Sequence, residues 1–160
     1  MLHGQDLVFP DDAIVSAMTQ ACKIRRWHPQ PDAGALGRAV AAEILRAADV
    51  AILRRGAFHL VLAGGTTPRH IYQVLRASNA SWSGWHLWFG DERCLPPDDP
   101  ERNSRMAMET WLDHVPIPAE QVHSIPAELG AAAAAIAYAE TLRGVGDFDL
   151  VLLGLGEDGH

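Results

Sequence analysis

The stretch FHLVLAGGTTPRHIYQVL, residues 58–75, decides how this chain folds. It opens with a short apolar run over 58–63, stops at two glycines, and continues as an amphipathic segment after Pro68. A short, continuous apolar run is typical of a strand that is buried on both faces of a parallel sheet. The glycines permit a sharp turn, and Thr67 and Pro68 suit the N-cap and the first position of a helix. The stretch therefore predicts a strand, a tight turn and a helix in succession.

The same alternation continues along the rest of the chain. Further apolar runs predict strands near 85–89 and 148–153, and residues 23–27 are a weaker candidate. Apolar residues at three- and four-residue steps predict helices at 34–54, 71–75, 108–112 and 136–142. Alternating strands and helices favour an α/β fold with right-handed crossovers. We predict a Rossmann-like, three-layer α/β domain with a mainly parallel sheet.

Composition narrows the class of protein. The 160 residues suit one domain, and a net charge of -7 offers no basic surface for nucleic acid. No apolar run approaches the roughly 20 residues of a membrane span, and the acidic N-terminus is unlike a signal peptide. Cys22 and Cys94 lie in no metal or redox spacing, and the histidines before the last residue form no ligand pattern. We expect a cytoplasmic protein with no metal site, no nucleic-acid partner and no membrane contact.

Polar clusters follow three of the predicted strands. The segments GGTTP, GDERC and GEDGH occupy residues 64–68, 90–94 and 156–160. Ligands of open parallel sheets bind outside the carboxyl ends of the strands, so these clusters are expected to meet at one edge. This convergence is the strongest functional signal that the residues themselves provide.

The GGTTP segment has the composition of an anion-binding turn. Glycines let the backbone approach a ligand closely, and the free N–H groups at the start of a helix attract anions. The hydroxyls of Thr66 and Thr67 add further donors. The alternative is an ordinary tight turn with a helix cap, and the motif alone favours that alternative. A Walker loop is excluded, because no Gly-Lys-Ser/Thr sequence follows.

The second cluster adds three charged residues. The planar guanidinium of Arg93 can bind a phosphate through two parallel hydrogen bonds, and Asp91 or Glu92 can hold that group or move a proton. The alternative is a solvated loop. Asn103, which follows a proline-rich loop, is interpreted as a helix cap.

The third cluster ends in His160. A histidine at a strand end can act as a general base near neutral pH, and Asp158 can orient its ring. The glycines Gly154, Gly156 and Gly159 also match the dinucleotide pattern GxGxxG. We discount that pattern, because it comes late and no acidic residue follows about twenty residues on.

Three segments in order resemble the 6-phosphogluconolactonases of the glucosamine-6-phosphate isomerase/6-phosphogluconolactonase superfamily. They are LAGGTTP at 62–68, FGDERCLPPDDPERNS at 89–104 and FDLVLLGLGEDGH at 148–160. The resemblance runs from about residue 26 to residue 160. It implies a Rossmann-like α/β fold and hydrolysis of 6-phospho-D-glucono-1,5-lactone to 6-phospho-D-gluconate in the pentose phosphate pathway. It implies a sugar-phosphate substrate and no cofactor. We expect a monomer or weak homo-oligomer.

The resemblance also implies a role for individual residues. His160 is the general base that activates water, and Asp158 places it. Asp91 matches a recurring catalytic position, and Asn103 and Gly156 are substrate-binding candidates. The phosphate end of the substrate is assigned to Gly64, Gly65, Thr66, Thr67 and Arg93.

Two other functions remain open at this point. Glucosamine-6-phosphate deaminases share the phosphate loop and the Asp-Gly-His motif, but they resemble DEY where this chain has DER, so Arg93 favours the lactonase. A non-catalytic sugar-phosphate binder is the third reading, and the presence of both His160 and Arg93 disfavours it.

The two ends of the chain depart from the resemblance. Residues 1–22 lie before it and are interpreted as an N-terminal extension, with residues 23–160 as a truncated α/β lactonase domain. The chain stops at His160, where the family pattern continues. We expect the fragment alone to be a poor catalyst, because a catalytic imidazole needs neighbours that fix its rotamer.

Overall fold

The computed structural model describes residues 26–156, and its elements alternate between strand and helix. The strands of the described residues form one parallel sheet in the order β3-β2-β1-β4, with β1 Phe58–Leu62, β2 Trp85–Phe89, β3 Val122–His123 and β4 Leu150–Val151. The α-helices of the same residues are α1 Ala33–Arg55, α2 Thr66–Arg76, α3 Asn103–Thr110 and α4 Ala131–Leu142. The predicted α/β class with a parallel sheet is confirmed.

Some predicted boundaries are wrong. The third helix stops at Thr110, because Trp111 leaves the helical region with φ -141° and a 3-10 turn follows. β4 is shorter than predicted, although bonds from Asp149 N to His59 O and from Leu152 N to Val61 O, both 2.9 Å, extend its pairing with β1. The two-residue strand β3 was not predicted, since two residues are too few for a periodic pattern.

The described residues test one prediction at the N-terminus only in part and another not at all. The weak strand candidate at 23–27 lies mostly outside the described residues, and its last two, Arg26 and Trp27, have no regular structure. The proposed extension, residues 1–22, lies wholly outside them.

One face of the sheet carries the hydrophobic core. Alternate residues of β1 and β2 point to this face and are almost completely buried: Phe58, Leu60, Leu62, Trp85, Leu87 and Phe89. Helices α1, α2 and α3 cover them with apolar side chains of the same cluster, such as Ile44 and Leu75. Trp111 packs edge-on against Trp85, with ring centroids 5.9 Å apart. Burial of such large aromatic groups is the main stabilising contribution on this side.

The opposite face of the sheet carries α4 and thereby forms the third layer. The Tyr138 hydroxyl of α4 donates to His123 O and accepts from Phe89 N, which ties the helix to β2 and β3. The ring of Trp88 stacks on His123 with centroids 3.8 Å apart. The ring of Tyr138 lies near that of Trp88, with centroids 6.5 Å apart, so a tyrosine of α4 docks the helix on the aromatic face of the sheet.

Three histidines form a ladder across this second face. His59, His86 and His123 lie on neighbouring strands with nearly parallel rings, whose centroids are 4.8 Å and 5.9 Å apart. The indole of Trp88 donates to His59 Nδ1 at 3.2 Å, a contact that requires an unprotonated Nδ1. Neutral rings can stack in this way, whereas neighbouring imidazolium ions would repel one another.

The ladder makes the stability of the sheet depend on pH. Burial lowers the pKa of His59, the charge of His86 lowers it further, and Asp149 opposes the shift while Arg55 adds to it. Burial, followed by the charges of His86 and His59, lowers the pKa of His123. Because both pKa values are lower in the folded state, the unfolded chain binds more protons just below the ordinary value of 6.5. The contribution of the two neutral histidines to the free energy of unfolding is therefore complete above pH 6.5 and is lost as the pH falls through their lowered pKa values.

We predict that His86→Gln weakens this pH dependence, because it removes the charge that lowers the pKa of both neighbours. Chemical unfolding between about pH 7.5 and pH 5.5 should show stability falling with pH in the natural chain and falling less in the variant. His28→Gln, at an exposed residue away from the ladder, is the control. Equal slopes for the natural chain and His86→Gln would contradict the electrostatic role of the ladder.

Candidate functional site

The carboxyl ends of β1, β2 and β4 meet at one edge of the sheet. β1 lies between β2 and β4, so the chain leaves β1 towards one neighbour and returns on its other side. Such a reversal of strand order opens a crevice, and ligands of α/β sheets bind there. Two of the polar segments, 64–68 and 90–94, follow β1 and β2 at this edge.

The turn after β1 begins α2 two residues earlier than predicted. Gly65 is the N-cap, with φ +101° in a region that favours glycine, and Thr66 is the first helical residue. Thr67 and Pro68 are the second and third helical residues, so the assignment of Thr67 as N-cap is wrong. The first N–H groups of a helix have no intrahelical acceptor, so those of this turn face the crevice as donors.

Tyr72 holds the turn at the end of β1. Its hydroxyl donates to Ala63 O at 2.8 Å and accepts from Ala63 N at 3.1 Å, and its ring is fully buried. Burial raises the pKa of Tyr72, so the hydroxyl stays protonated and keeps its donor. Both backbone groups of Ala63 are thus satisfied by α2, and the residue before Gly64 has a fixed position.

Asn103 joins this turn to the segment after β2. Its Nδ2 donates to both Asp91 O and Asp91 Oδ1 at 3.2 Å, and the side chain is largely buried. A Cβ atom at Gly64 would lie 1.8 Å from Asn103 Oδ1, so only glycine fits against this amide. Asn103 is the first residue of α3 and not its N-cap, which is Arg102. Its interpretation as a cap is therefore wrong, and its amide instead connects two loops.

Glu92 supplies the cap of α3 from outside the helix. One carboxylate oxygen accepts from Asn103 N at 2.7 Å and the other from Ser104 N at 2.8 Å. Burial acts to raise the pKa of Glu92, but hydrogen bonds from Ser104, Arg93 and Asn103 outweigh it and hold the pKa below the ordinary value. The carboxylate is therefore ionised, and it is occupied by the backbone rather than free to move protons.

A cationic pocket of about 400 Å³ lies between the start of α2 and the segment after β2. Its polar lining consists of Thr66, the three arginines Arg69, Arg93 and Arg102, Asn103 and one acidic residue, Glu101, with Gly65 at the helix start. Neither Arg69 nor Arg93 forms an ion pair with a carboxylate among the described residues. Two guanidinium groups, a hydroxyl and a helix start are suited to bind a dianion.

Arg69 was missed by the sequence reasoning. It lies three residues after Thr66, so both side chains lie on the same face of α2. The three-residue spacing is visible in the sequence. It places the two side chains on one face only if Thr66 is already part of the helix, and that start was not predicted.

Thr67 lies apart from the arginines. It lines a separate cavity of about 400 Å³ with Ala63 and with Leu153, Gly154 and Leu155 after β4. Gly156 is exposed at the end of the described residues. Asp158 and His160 lie outside them, so their positions relative to either cavity stay predictions.

Two features are missing from the described part of the chain. Between residues 26 and 156, no group of three or more His, Cys, Asp or Glu side chains is placed to hold a metal ion. Over the same residues, no helix is both long enough and apolar enough to cross a membrane.

Comparison with known proteins identifies relatives of this chain. A family model described as glucosamine-6-phosphate isomerases/6-phosphogluconolactonase matches residues 31–160. A 6-phosphogluconolactonase of Nostoc sp. is 40% identical over 126 residues, which are 73% of this chain and 52% of that protein. The chain thus spans about half the length of the curated relatives it matches.

Solved structures show the same fold. The crystal structure of a 6-phosphogluconolactonase from Shewanella baltica superposes with a TM-score of 0.76 at 30% identity, covering 86% of this chain and 60% of that one. A monomeric glucosamine-6-phosphate deaminase superposes with a TM-score of 0.69 at 23% identity, covering 81% of this chain and 54% of its own. At that identity the second likeness concerns the fold alone.

We predict that Gly64→Ala destabilises the protein by about 1–3 kcal/mol, because the added methyl group displaces the Asn103 amide and strains the loop. Chemical unfolding measures the change. Gly146→Ala is the matched control, since a Cβ there meets nothing within 4 Å, and it should change stability by less than about 0.5 kcal/mol. Equal stabilities of the two variants would show that the Gly64–Asn103 contact is unimportant.

Proposed function

The chain belongs to the glucosamine-6-phosphate isomerase/6-phosphogluconolactonase family, and from this premise we propose that the whole protein hydrolyses 6-phospho-D-glucono-1,5-lactone to 6-phospho-D-gluconate. The observation that carries the proposal is the cationic pocket, in which Arg93 lies beside the start of α2. A pocket of this charge suits the phosphate end of the substrate. The names of the Nostoc and Shewanella baltica relatives support the lactone as the reacting group.

In the proposed complex, the phosphate binds where Gly65, Thr66, Arg69 and Arg93 line the pocket. The planar group of Arg93 donates two parallel hydrogen bonds to phosphate oxygens. The Thr66 hydroxyl and the N–H groups of the first turn of α2 donate to the remaining oxygens. The lactone ring then points away from Arg93 along the strand ends, towards the segment after β4.

The proposed reaction begins with water. His160 removes a proton from a water molecule, whose oxygen attacks the lactone carbonyl carbon and forms a tetrahedral oxyanion. Backbone N–H groups of the glycine-containing turns stabilise this negative charge. The intermediate collapses by breaking the bond to the ring oxygen, and the imidazolium returns its proton to that oxygen as the C5 hydroxyl forms. Asp158 orients the imidazole, and the reaction consumes one water and no cofactor.

Asp91 has a supporting role in this proposal. Its side chain accepts from the Asn103 amide at 3.2 Å, so the carboxylate is held at the mouth of the crevice. There it can accept a hydrogen bond from a sugar hydroxyl and keep the lactone ring aligned with His160.

We also propose that the protein acts in the cytoplasm, in the pentose phosphate pathway, as a monomer or weak homo-oligomer. Cys94 is an exposed free thiol, which fits a reducing compartment.

We predict that the whole protein releases 6-phosphogluconate from the lactone and does not release ammonia from glucosamine 6-phosphate. Arg93, in DER, favours the first activity, since the deaminases resemble DEY at that position. Coupled assays with each substrate measure both reactions on one preparation. Deamination without lactone hydrolysis would reverse the assignment.

We predict that His160→Ala in the whole protein lowers kcat by about 10²–10⁴-fold with a smaller change in substrate affinity, because only proton transfer is lost. Steady-state kinetics and 6-phosphogluconate binding measure the two effects separately. His114→Ala, at an exposed residue on another part of the surface, is the control. Unchanged turnover in His160→Ala would exclude His160 as the base. A natural protein that binds 6-phosphogluconate but shows no turnover would instead favour a non-catalytic sugar-phosphate binder.

A further inference from the structure

We infer that Glu92 is a positioning residue for phosphate binding: its buried carboxylate fixes Arg93 relative to the start of α3 and thereby aims the guanidinium into the cationic pocket. The inference rests on the proposed function and deepens it. Glu92 itself lies too deep to touch substrate, since its side chain is 0% exposed.

Every polar contact of the Glu92 carboxylate is with a donor group. Oε1 accepts from Arg93 N at 2.9 Å and from Asn103 N at 2.7 Å. Oε2 accepts from Ser104 N at 2.8 Å and lies 3.4 Å from Arg102 Nε. A single buried group thus joins the segment after β2 to the first turn of α3.

The contacts of Glu92 fix the main chain of Arg93, from which its side chain extends. The guanidinium is exposed and forms no ion pair with a carboxylate among residues 26–156, so no side-chain partner in that range directs it. Its backbone N–H, in contrast, is held by Glu92. The direction of the side chain therefore depends on the position of its main chain.

Asn103 connects Glu92 to the turn after β1, which forms the other wall of the pocket. Its backbone is held by Glu92, while its side chain contacts Asp91 and packs against Gly64. The carboxylate therefore sets both the wall that carries Arg93 and the contact with the turn after β1.

The site demands a carboxylate and not an amide. In Glu92→Gln, the amide NH₂ would face N–H donors on either side and could accept from none of them. The variant would also remove one of the two carboxylates near the buried Arg102, whose other partner is Glu128 at 3.0 Å. The shape of the side chain is nearly unchanged, so the variant reports on charge and hydrogen bonding.

The test is a double-mutant cycle in the whole protein with Glu92→Gln, Arg93→Ala and the double variant. We expect Glu92→Gln to raise KM for the lactone, and Kd for 6-phosphogluconate, by about tenfold while kcat changes less than about threefold. Arg93→Ala should do the same. In the double variant, Glu92→Gln should add at most about threefold instead of tenfold, because Arg93 is already absent and only the contact with the turn after β1 is left to lose.

A merely structural cap would behave differently. It would lower stability, and its effect on KM and Kd would be the same with or without Arg93, so additive effects in the cycle would overturn the inference. Glu109→Gln removes an exposed carboxylate paired with Arg105 on the same helix and is the control that should leave KM unchanged. If Glu92→Gln does not fold, as judged by circular dichroism, Glu92→Asp replaces it under the same criterion.

The cycle separates this inference from the proposed function. A natural protein that hydrolyses no lactone and binds no 6-phosphogluconate would disprove the proposed function. An active natural protein with additive Glu92 and Arg93 effects would disprove only the positioning role.

Discussion

The capping of α3 by the buried Glu92 carboxylate is the interaction on which this edge of the sheet depends. The segment after β2 and the start of α3 are separated by a proline-rich loop that has no regular structure to hold it. A charged acceptor that satisfies the first N–H groups of a helix, within a buried site, stabilises both segments together. Without it, the Asn103 amide would have no fixed approach to Gly64, and the pocket would lose one of its walls.

The two faces of the sheet serve different physical purposes. The face under α1, α2 and α3 is apolar and tightly packed, and it holds the strands at a fixed spacing. The face towards α4 is built from histidine and tryptophan rings, which stack while they are neutral. Stability therefore comes chiefly from the first face, and sensitivity to protonation comes from the second. The packing on both faces holds the strands whose ends form the crevice.

Positive charge at the crevice is local and not a property of the whole chain. The net charge is -7, yet Arg69 and Arg93 face one pocket and form no ion pair with a carboxylate among the described residues. The fold produces this contrast by burying Arg102 between Glu92 and Glu128 and leaving the other two arginines at the surface. An acidic chain can thus offer a specific site to a small anion without attracting polyanions.

The amino-acid sequence by itself determined the α/β class, the parallel sheet, the places of α1, α2 and α4 and the edge at which the first two polar clusters lie, because periodicity and glycine-containing turns are local signals. It did not determine that Gly65 rather than Thr67 caps α2, because helix starts depend on backbone angles. Only the tertiary structure decided that Arg69 joins Arg93, that Thr67 faces a different cavity, and that Glu92 is bound to the start of α3. Those contacts join residues far apart in the chain, and the free energy of such a contact depends on packing that no local pattern contains.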